Sequence, residues 1–294
     1  MELYQLRSFA VIAETGQLTR AAEKLHVSQP ALSAQLKALE EELEFGLFDR
    51  TPNGMLLTAA GRRLLADADK VLAAAQNLQN HARALKGEVA GKAGIGTLSD
   101  PEFIRVGEFI GAATTRHPLL ELELHQGVTG ELLERVRDGQ LDASFYYGDL
   151  KFASVAGIAL RDVVYRVAIP APWGERLKDA GWNEIASQPW IIPPPISTHN
   201  QLVHALLREH GVEPTRVVEA DQEAIVGSLV VSGVGIALMR EDVGLEKQAA
   251  GEVCLWNDVR IVSKLWFIYL REREGDPVIS ALLEVEKEVW GLEA

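Results

Sequence analysis

Apolar positions in the first sixty residues recur with the period of a helix. Leu3, Leu6, Phe9, Ala10 and Ala13 form a stripe that Gly16 ends, which predicts a helix over residues 2–15. Ala21, Ala22 and Leu25 share the face of a second, short helix. After a break at His26-Val27, Leu32, Leu36, Leu39 and Leu43 recur at spacings of four, three and four, the buried stripe of a third helix. Ser28 stands where an N-cap hydroxyl accepts from a free backbone N–H, and Pro30 falls in the first turn, where a missing N–H does little harm. Two short apolar runs, Gly46–Phe48 and Met55–Leu57, flank a turn of Pro52, Asn53 and Gly54, which predicts a hairpin or wing. Residues 1–58 therefore read as an all-α helix-turn-helix carrying a wing.

The next segment keeps helical periodicity but changes its period. From Thr58, a fair N-cap, to about Lys86, the positions Leu64, Ala68, Val71, Ala75, Leu78, Ala82 and Leu85 alternate at spacings of four and three. That period of 3.5 is the seam of a coiled coil, and it predicts a dimerising linker helix over residues 59–88; the alternative is a helix packed on its own domain. The residues around the seam, such as Asp67, Lys70, Gln76 and Gln79, are polar, which favours the seam. GEVAGKAG, residues 87–94, reads as a glycine-rich hinge.

Beyond the hinge, strand-like runs at Ala93–Thr97, Leu120–His125 and Ala143–Tyr147 alternate with helical patterns at Glu102–Arg116 and Gly130–Arg137, a β-α-β-α-β parallel sheet. A second set follows, with strands at Val163–Pro170, Trp190–Pro193, Arg216–Ala220 and Gly235–Met239 and helices at Gln201–His210 and Ala224–Val231. Leu265–Leu270 reads as a returning strand and Val278–Trp290 as a final helix. Residues 89–294 are thus expected to form two α/β lobes, lobe I from about 91–161 and 268–294 and lobe II from about 162–267.

Composition narrows the function classes. A length of 294 residues allows two or three domains, and 47% hydrophobic content allows sizeable cores. The lone Cys254 excludes an internal disulfide and fits a reducing compartment. No stretch approaches eighteen apolar residues and no apolar run follows a basic N-terminal segment, so the expected place is the cytoplasm, with no membrane partner. A net charge of −13 runs against nucleic-acid binding. The conflict is also local. Residues 1–58 carry five cations (Arg7, Arg20, Lys24, Lys37, Arg50) against eight carboxylates (Glu2, Glu14, Glu23, Glu40, Glu41, Glu42, Glu44, Asp49).

Distribution decides that conflict. The face of the third helix opposite its leucines begins with Ser28, Gln29, Pro30 and Ser33, with Lys37 one turn on. Short polar groups at the first turns, with a cation behind them, suit a helix whose start enters a major groove. The acids at Glu40–Glu44 fall at the other end of that helix, and Arg62 and Arg63 follow closely. The plainer reading is a two-helix corner of a small core, with Arg50 a solvated charge beside Asp49.

The run LRSFAVIAETGQLTRAAEKLHVSQPALSAQLKALEEELEFGLFDRT with the following LTAAG resembles the winged helix-turn-helix of LysR-type transcriptional regulators over residues 1 to about 61. The resemblance implies that the helix from Ser28 enters the major groove of double-stranded DNA at a pseudo-palindromic promoter site. It places Gln29, Pro30 and Ser33 toward bases and Arg20, Lys37 and Arg50 near the backbone. Ala34 departs from the family, which often has Arg or Lys there. The resemblance also implies a dimerising linker helix and a homodimer that pairs into a homotetramer. It extends more weakly to GTLSDPEF, HPLLELEL, LDASF and SGVGIAL, which sit where the family carries an effector-binding region similar to periplasmic binding proteins.

Ligands of such sheets bind at the carboxyl ends of the strands. Ser99 and Asp100 follow the first strand, before a helix expected to open at Pro101; Thr129 follows the second; Ser197, Thr198 and His199 precede a third helix; Tyr146 and Tyr147 end the third strand. Hydroxyls and free N–H groups at converging helix N-termini make an anion pocket, although N-capping alone would also explain Ser99, Thr129 and Ser197. By strand alternation one of the two tyrosines points into the core. Asp100 either fills its helix N-terminus or receives an amine, so the expected effector is a small molecule with a carboxylate, and with an amine only on the second alternative. Enzyme motifs are missing: Gly233-Val234-Gly235 precedes a strand instead of opening a helix, and no Walker loop, G-x-S-x-G elbow or H-E-x-x-H occurs. The seven histidines show no standard ligand spacing, so neither a metal nor a cofactor is expected. The sequence thus predicts an effector-controlled LysR-type regulator that is not an enzyme; the alternative is a bifunctional DNA-binding protein with catalysis in its α/β region.

Overall fold

The computed structural model describes residues 1–52, 54–85 and 89–293. They form two compact units, Met1–Glu88 with Asp138–Gln140, and Val89–Arg137 with Leu141–Ala294.

In the first unit, helices α1 (Leu3–Thr15), α2 (Leu18–Lys24) and α3 (Gln29–Leu43) precede strands β1 (Phe48–Thr51) and β2 (Gly54–Leu57) and the long helix α4 (Ala59–Ala84). Gly16 ends α1 in the left-handed region at φ 65°, its N–H donating to the Ile12 carbonyl. The Gly16 carbonyl then accepts from Met55 N at 2.7 Å, and a Cβ at Gly54 would lie 2.3 Å from that oxygen, so the wing docks on α1 only with glycine there. The expected stripe is buried: Leu32, Leu36 and Leu39 are at most 1% exposed and pack with Phe9, Ile12 and Leu47. Phe9 meets Phe48 edge-on at 5.5 Å. The first apolar run of the wing is offset from the strand itself. β1 starts at Phe48, pairing Phe48 with Leu57 and Thr51 with Gly54, while Leu47 enters the core ahead of it. Thr58 caps α4, its hydroxyl accepting from Gly61 N at 2.9 Å.

The α4 seam divides in two. Leu64 and Ala68 pack into the core of their own head, so for these two the alternative reading holds. Val71, Leu78 and Leu85 remain 42%, 71% and 90% exposed; Ala75 is half-buried and Ala82 exposed.

In the second unit, one parallel layer is made by β3 (Ala90–Thr97), α5 (Val106–Arg116), β4 (Leu119–Gln126), α6 (Thr129–Arg137) and β5 (Ala143–Tyr147), with β3 pairing both β4 and β5. The glycine-rich stretch is therefore mostly strand: Ala90–Gly94 pair with β4, while Gly87 and Glu88 lie outside the described residues. Strand β6 (Val155–Pro170) follows, then α7 (Gly174–Leu177), α8 (Trp182–Ser187), β7 (Pro189–Ile192), α9 (Thr198–Glu209), β8 (Arg216–Glu219), α10 (Glu223–Val231), β9 (Ala237–Arg240), α11 (Glu241–Ala249), β10 (Val253–Leu255), β11 (Ile261–Leu270) and α12 (Pro277–Trp290).

The lobes share one mixed seven-stranded sheet, ordered β10-β6-β11-β5-β3-β4 with β9 also on β6; β7 and β8 form a separate parallel pair. The long antiparallel strands β6 and β11 run through both lobes. Their register shifts between Leu265 and Trp266, opposite Arg161 and Ala159, a bulge that bends the pair where it crosses between lobes. Lobe I buries Ile95, Phe109, Phe145, Phe267 and Val285, and lobe II buries Val167, Trp190, Val203 and Trp256. Asp276 caps α12 by accepting from Val278 N and Ile279 N.

Candidate functional site

Two sites emerge, one in each unit. In the first, Ser28 Oγ accepts from Ala31 N at 3.3 Å and fixes the start of α3. Gln29 and Pro30 are exposed, and Ser33 is half-buried one turn on. Arg50 reaches from the wing to donate from Nη2 to Ser33 Oγ at 3.4 Å, so wing and helix present one surface. A shallow hollow brings Gln29 and Arg50 together with Gln17 and Thr19 at the start of α2. Gln17 and Thr19 were missed in the sequence, where only the α2 apolar face was legible. Arg20 and Lys37 are exposed, Lys37 pairing with Glu41 at 3.3 Å. The acidic end of α3 is partly used internally: Glu40 Oε1 accepts from Leu47 N at 2.7 Å. Ala34 is exposed on the same helix and offers no cation.

The second site is a cleft of about 360 Å³ between the lobes of the second unit. Lobe I contributes Ser99 after β3, Thr129 at the start of α6, and Tyr147 at the end of β5; lobe II contributes Ser197 and His199 at the start of α9. These five expected residues come together. The lobes meet closely here, since a Cβ at Gly130 would lie 2.1 Å from the Ile196 carbonyl oxygen, and only glycine admits that approach. Ser197 caps α9, accepting from His199 N at 3.2 Å.

Three expected residues are not on the cleft wall. Tyr146 is 3% exposed, and its hydroxyl turns toward the Asp149 carbonyl at 3.5 Å; strand alternation sends it to the core and its neighbour to the cleft. Thr198 is buried, packed beside Gly148. Asp100 opens no helix, because α5 begins only at Val106; its Oδ1 accepts from Phe103 N at 3.1 Å, capping a turn, and its Oδ2 accepts from Arg240 Nη1. Held there, it is not among the residues that line the cleft, whereas Glu223 is.

Arg240 is a further residue that sequence reasoning missed. Its side chain is 5% exposed and also pairs with Glu223 at 3.3 Å and, through two nitrogens, with Asp242 at 3.0 Å. Its guanidinium lies 3.6 Å from the Phe103 ring centre. The signal was present: Arg240 sits at the carboxyl end of β9, where the rule used for β3 and β5 also points. Glu223, in the first turn of α10, lines the cleft with Asp221 and Gln222. Desolvation pushes the Glu223 carboxyl up to about 7 against the pull of Arg240, with Asp100 and Asp242 adding to the rise. Burial pushes the Tyr147 hydroxyl well above its ordinary range, with Arg240 opposing. Burial lowers the His199 imidazole to about 4, so its ring is neutral at pH 7.

Residues 3–62 match the bacterial regulatory helix-turn-helix proteins of the lysR family, and residues 86–291 match the LysR substrate binding domain. The chain belongs to the LysR family of transcriptional regulators. Among curated relatives, this LysR-type regulator is 32% identical to the regulator BsdA of Bacillus subtilis over 81% of its own length and 83% of BsdA. It is 29% identical to BenM of Acinetobacter baylyi over 81% of this chain and 80% of that protein. The structure of full-length BenM matches 100% of this chain and 99% of its own at 26% identity, TM-score 0.56. CbnR solved with its target DNA has the same fold, at 22% identity and TM-score 0.64, over 98% of this chain and 99% of that one. The LysR-type assignment, with its DNA-binding head and two-lobed effector-binding region, is thus established for the chain. The relatives are regulators, and no described helix is long and apolar enough to cross a membrane.

Proposed function

We propose that this regulator reads a promoter site in cytoplasmic DNA through Gln29, Pro30 and Ser33, with Ser28, Arg20, Lys37 and Arg50 at the phosphates, and that a small molecule in the cleft sets which DNA arrangement it prefers. The observation that carries the reading is the single surface made by the exposed start of α3 and the wing cation Arg50. Carboxamide and hydroxyl groups at that start suit base edges, and three carboxylates behind it are engaged within the head, Glu40 with Leu47 N, Glu41 with Lys37 and Glu42 with the N-terminal amine. Head, linker and effector region are taken as residues 1–58, 59–88 and 89–294.

Gln29→Ala should cut discrimination between the operator and random DNA by about 1–3 kcal/mol, whereas Arg50→Ala should weaken both alike and reduce the salt slope of binding by about one. Fluorescence anisotropy across a salt series measures both. Equal loss on both DNAs for Gln29→Ala would place base reading elsewhere.

The exposed half of the α4 seam, Val71, Leu78 and Leu85, is proposed to pair with a second copy, which suits a two-fold site. Leu78→Glu should shift sedimentation toward the monomer without unfolding the chain, and the wild-type coefficient separates a homodimer from a homotetramer. An unchanged coefficient would move the dimer contact off α4.

In the cleft, α9 has no acidic residue in its first turn, and Ser197 and His199 stand there. Its N-terminus is the proposed seat of an effector carboxylate. The effector acts only through unequal affinity for two arrangements of the protein. We take the cleft as a sensor, not a reaction centre; a bound metabolite should be recovered unchanged, and its conversion by purified protein would revive the bifunctional reading.

A further inference from the structure

The charged side chains on the described cleft wall are all of one sign. Glu131, Asp221 and Glu223 line it, and no lysine or arginine does. Arg240 offsets them only in part, because its single buried charge is shared among Glu223 at 3.3 Å, Asp100 and Asp242 and lies over Phe103, which leaves the group net negative. Glu131 and Glu223 each occupy the first turn of a helix that starts at the cleft, so α6 and α10 have their N-terminal dipoles answered by the chain's own carboxylates. An anion at that side of the cleft would face like charge; an ammonium group would find acceptors.

An independent feature points the same way. His199 lines the cleft, its ring stacked at a tilt on Tyr165 at 4.9 Å, and its Nε2 is enclosed with no hydrogen-bond partner among the described residues. Burial keeps that ring neutral at pH 7, so His199 brings no positive charge to the cleft wall. Val226, Leu238 and Met239 supply an apolar wall for a short carbon chain, and the volume is at the low end for small-molecule sites.

We propose that the effector carries an amine, whose ammonium group is received by Glu223 and Asp221, with its other end toward the start of α9. This rests on the reading of the cleft as the effector site. It also replaces Asp100, the residue expected from the sequence to take that amine, with the pair on α10 and the turn before it.

The test uses the full-length protein. Thermal shift and calorimetric titration are run with the twenty free amino acids, putrescine and cadaverine, and in parallel with the N-acetyl amino acids and the matching amine-free 2-hydroxy acids. The expected result is a hit that needs its free amine, lost on N-acetylation. Glu223→Gln, or Asp221→Asn at a more exposed position should the first variant fold poorly, should weaken that hit by about tenfold or more. Ser99→Trp, which fills the cleft from an exposed position, should abolish it while near-UV circular dichroism stays native. Hits confined to the amine-free panel, no hit among the amines, or an amine hit indifferent to both acidic variants would each overturn the proposal. If Ser99→Trp blocks an amine-free hit, the cleft stands and only the amine fails; if Ser99→Trp leaves any hit unaltered, the effector site is not this cleft and both readings fail.

Discussion

Replacing Arg240 by methionine should destabilise the effector-binding unit by about 3–5 kcal/mol, the range for removing one partner of a buried ion cluster. Arg240 is 5% exposed, and its loss strands the carboxylates of Asp100 and Glu223, which are 27% and 29% exposed, beside that of Asp242. Methionine fills much of the volume and keeps contact with Phe103, so the loss reports charge and not a cavity. All six tryptophans lie between Trp173 and Trp290, so urea unfolding followed by tryptophan fluorescence reads this unit and not the head. Adding Asp100→Asn and Glu223→Gln to Arg240→Met should recover part of the loss, because the stranded charges go with the cation. A loss below about 1 kcal/mol would mean that water screens the cluster as it screens a surface pair.

The second large effect is a dependence on pH. Glu286 lies on α12 with none of its surface exposed, and desolvation pushes its carboxyl up to about 8, the indole N–H of Trp290 offsetting only part. The native state therefore holds this proton at pH 7, while an unfolded glutamate, near 4.5, does not. Because the native state binds more protons, stability contributed by this group is full below about pH 4.5 and falls as pH rises to about 8. At about 1.4 kcal/mol per pKa unit the whole fall is of the order of 3–5 kcal/mol. Glu286→Gln has no proton to lose, so its stability minus that of the wild type should grow across that window and level off above it. A difference that stays constant from pH 5 to 9 would show the carboxyl ionised in the native chain.

Local patterns made much of this legible in the sequence. The stripe from Leu32 to Leu43 and the Ser28 cap needed no knowledge of distant residues, and α3 formed where they predicted. The wing was placed but its pairing was not, since register follows from the turn at Gly54 and from docking on Gly16. β6 was seen only from Val163, because Arg161 and Asp162 break its apolar pattern and separate Val163–Pro170 from the preceding run Val155–Leu160. The α4 period was read correctly, yet one 3.5-residue stripe serves both an internal contact at Leu64 and Ala68 and an open face at Val71, Leu78 and Leu85. In the cleft, the strand-end rule found Ser99, Thr129, Tyr147, Ser197 and His199. It could not find the pairing of Asp100 with Arg240, 140 residues apart, which only the folded chain brings about.

The central claim is that the start of α3 reads DNA despite a net charge of −13. The most direct measurement is a footprint of the purified full-length chain on the DNA just upstream of its own gene, repeated across a salt series. The expected result is a pair of protected half-sites about one helical turn, or a small multiple of it, apart, with affinity falling steeply as salt rises and protection lost in Gln29→Ala. No protection at low salt, on that DNA or on a random genomic library, would contradict the claim and leave the effector cleft as the place where function resides.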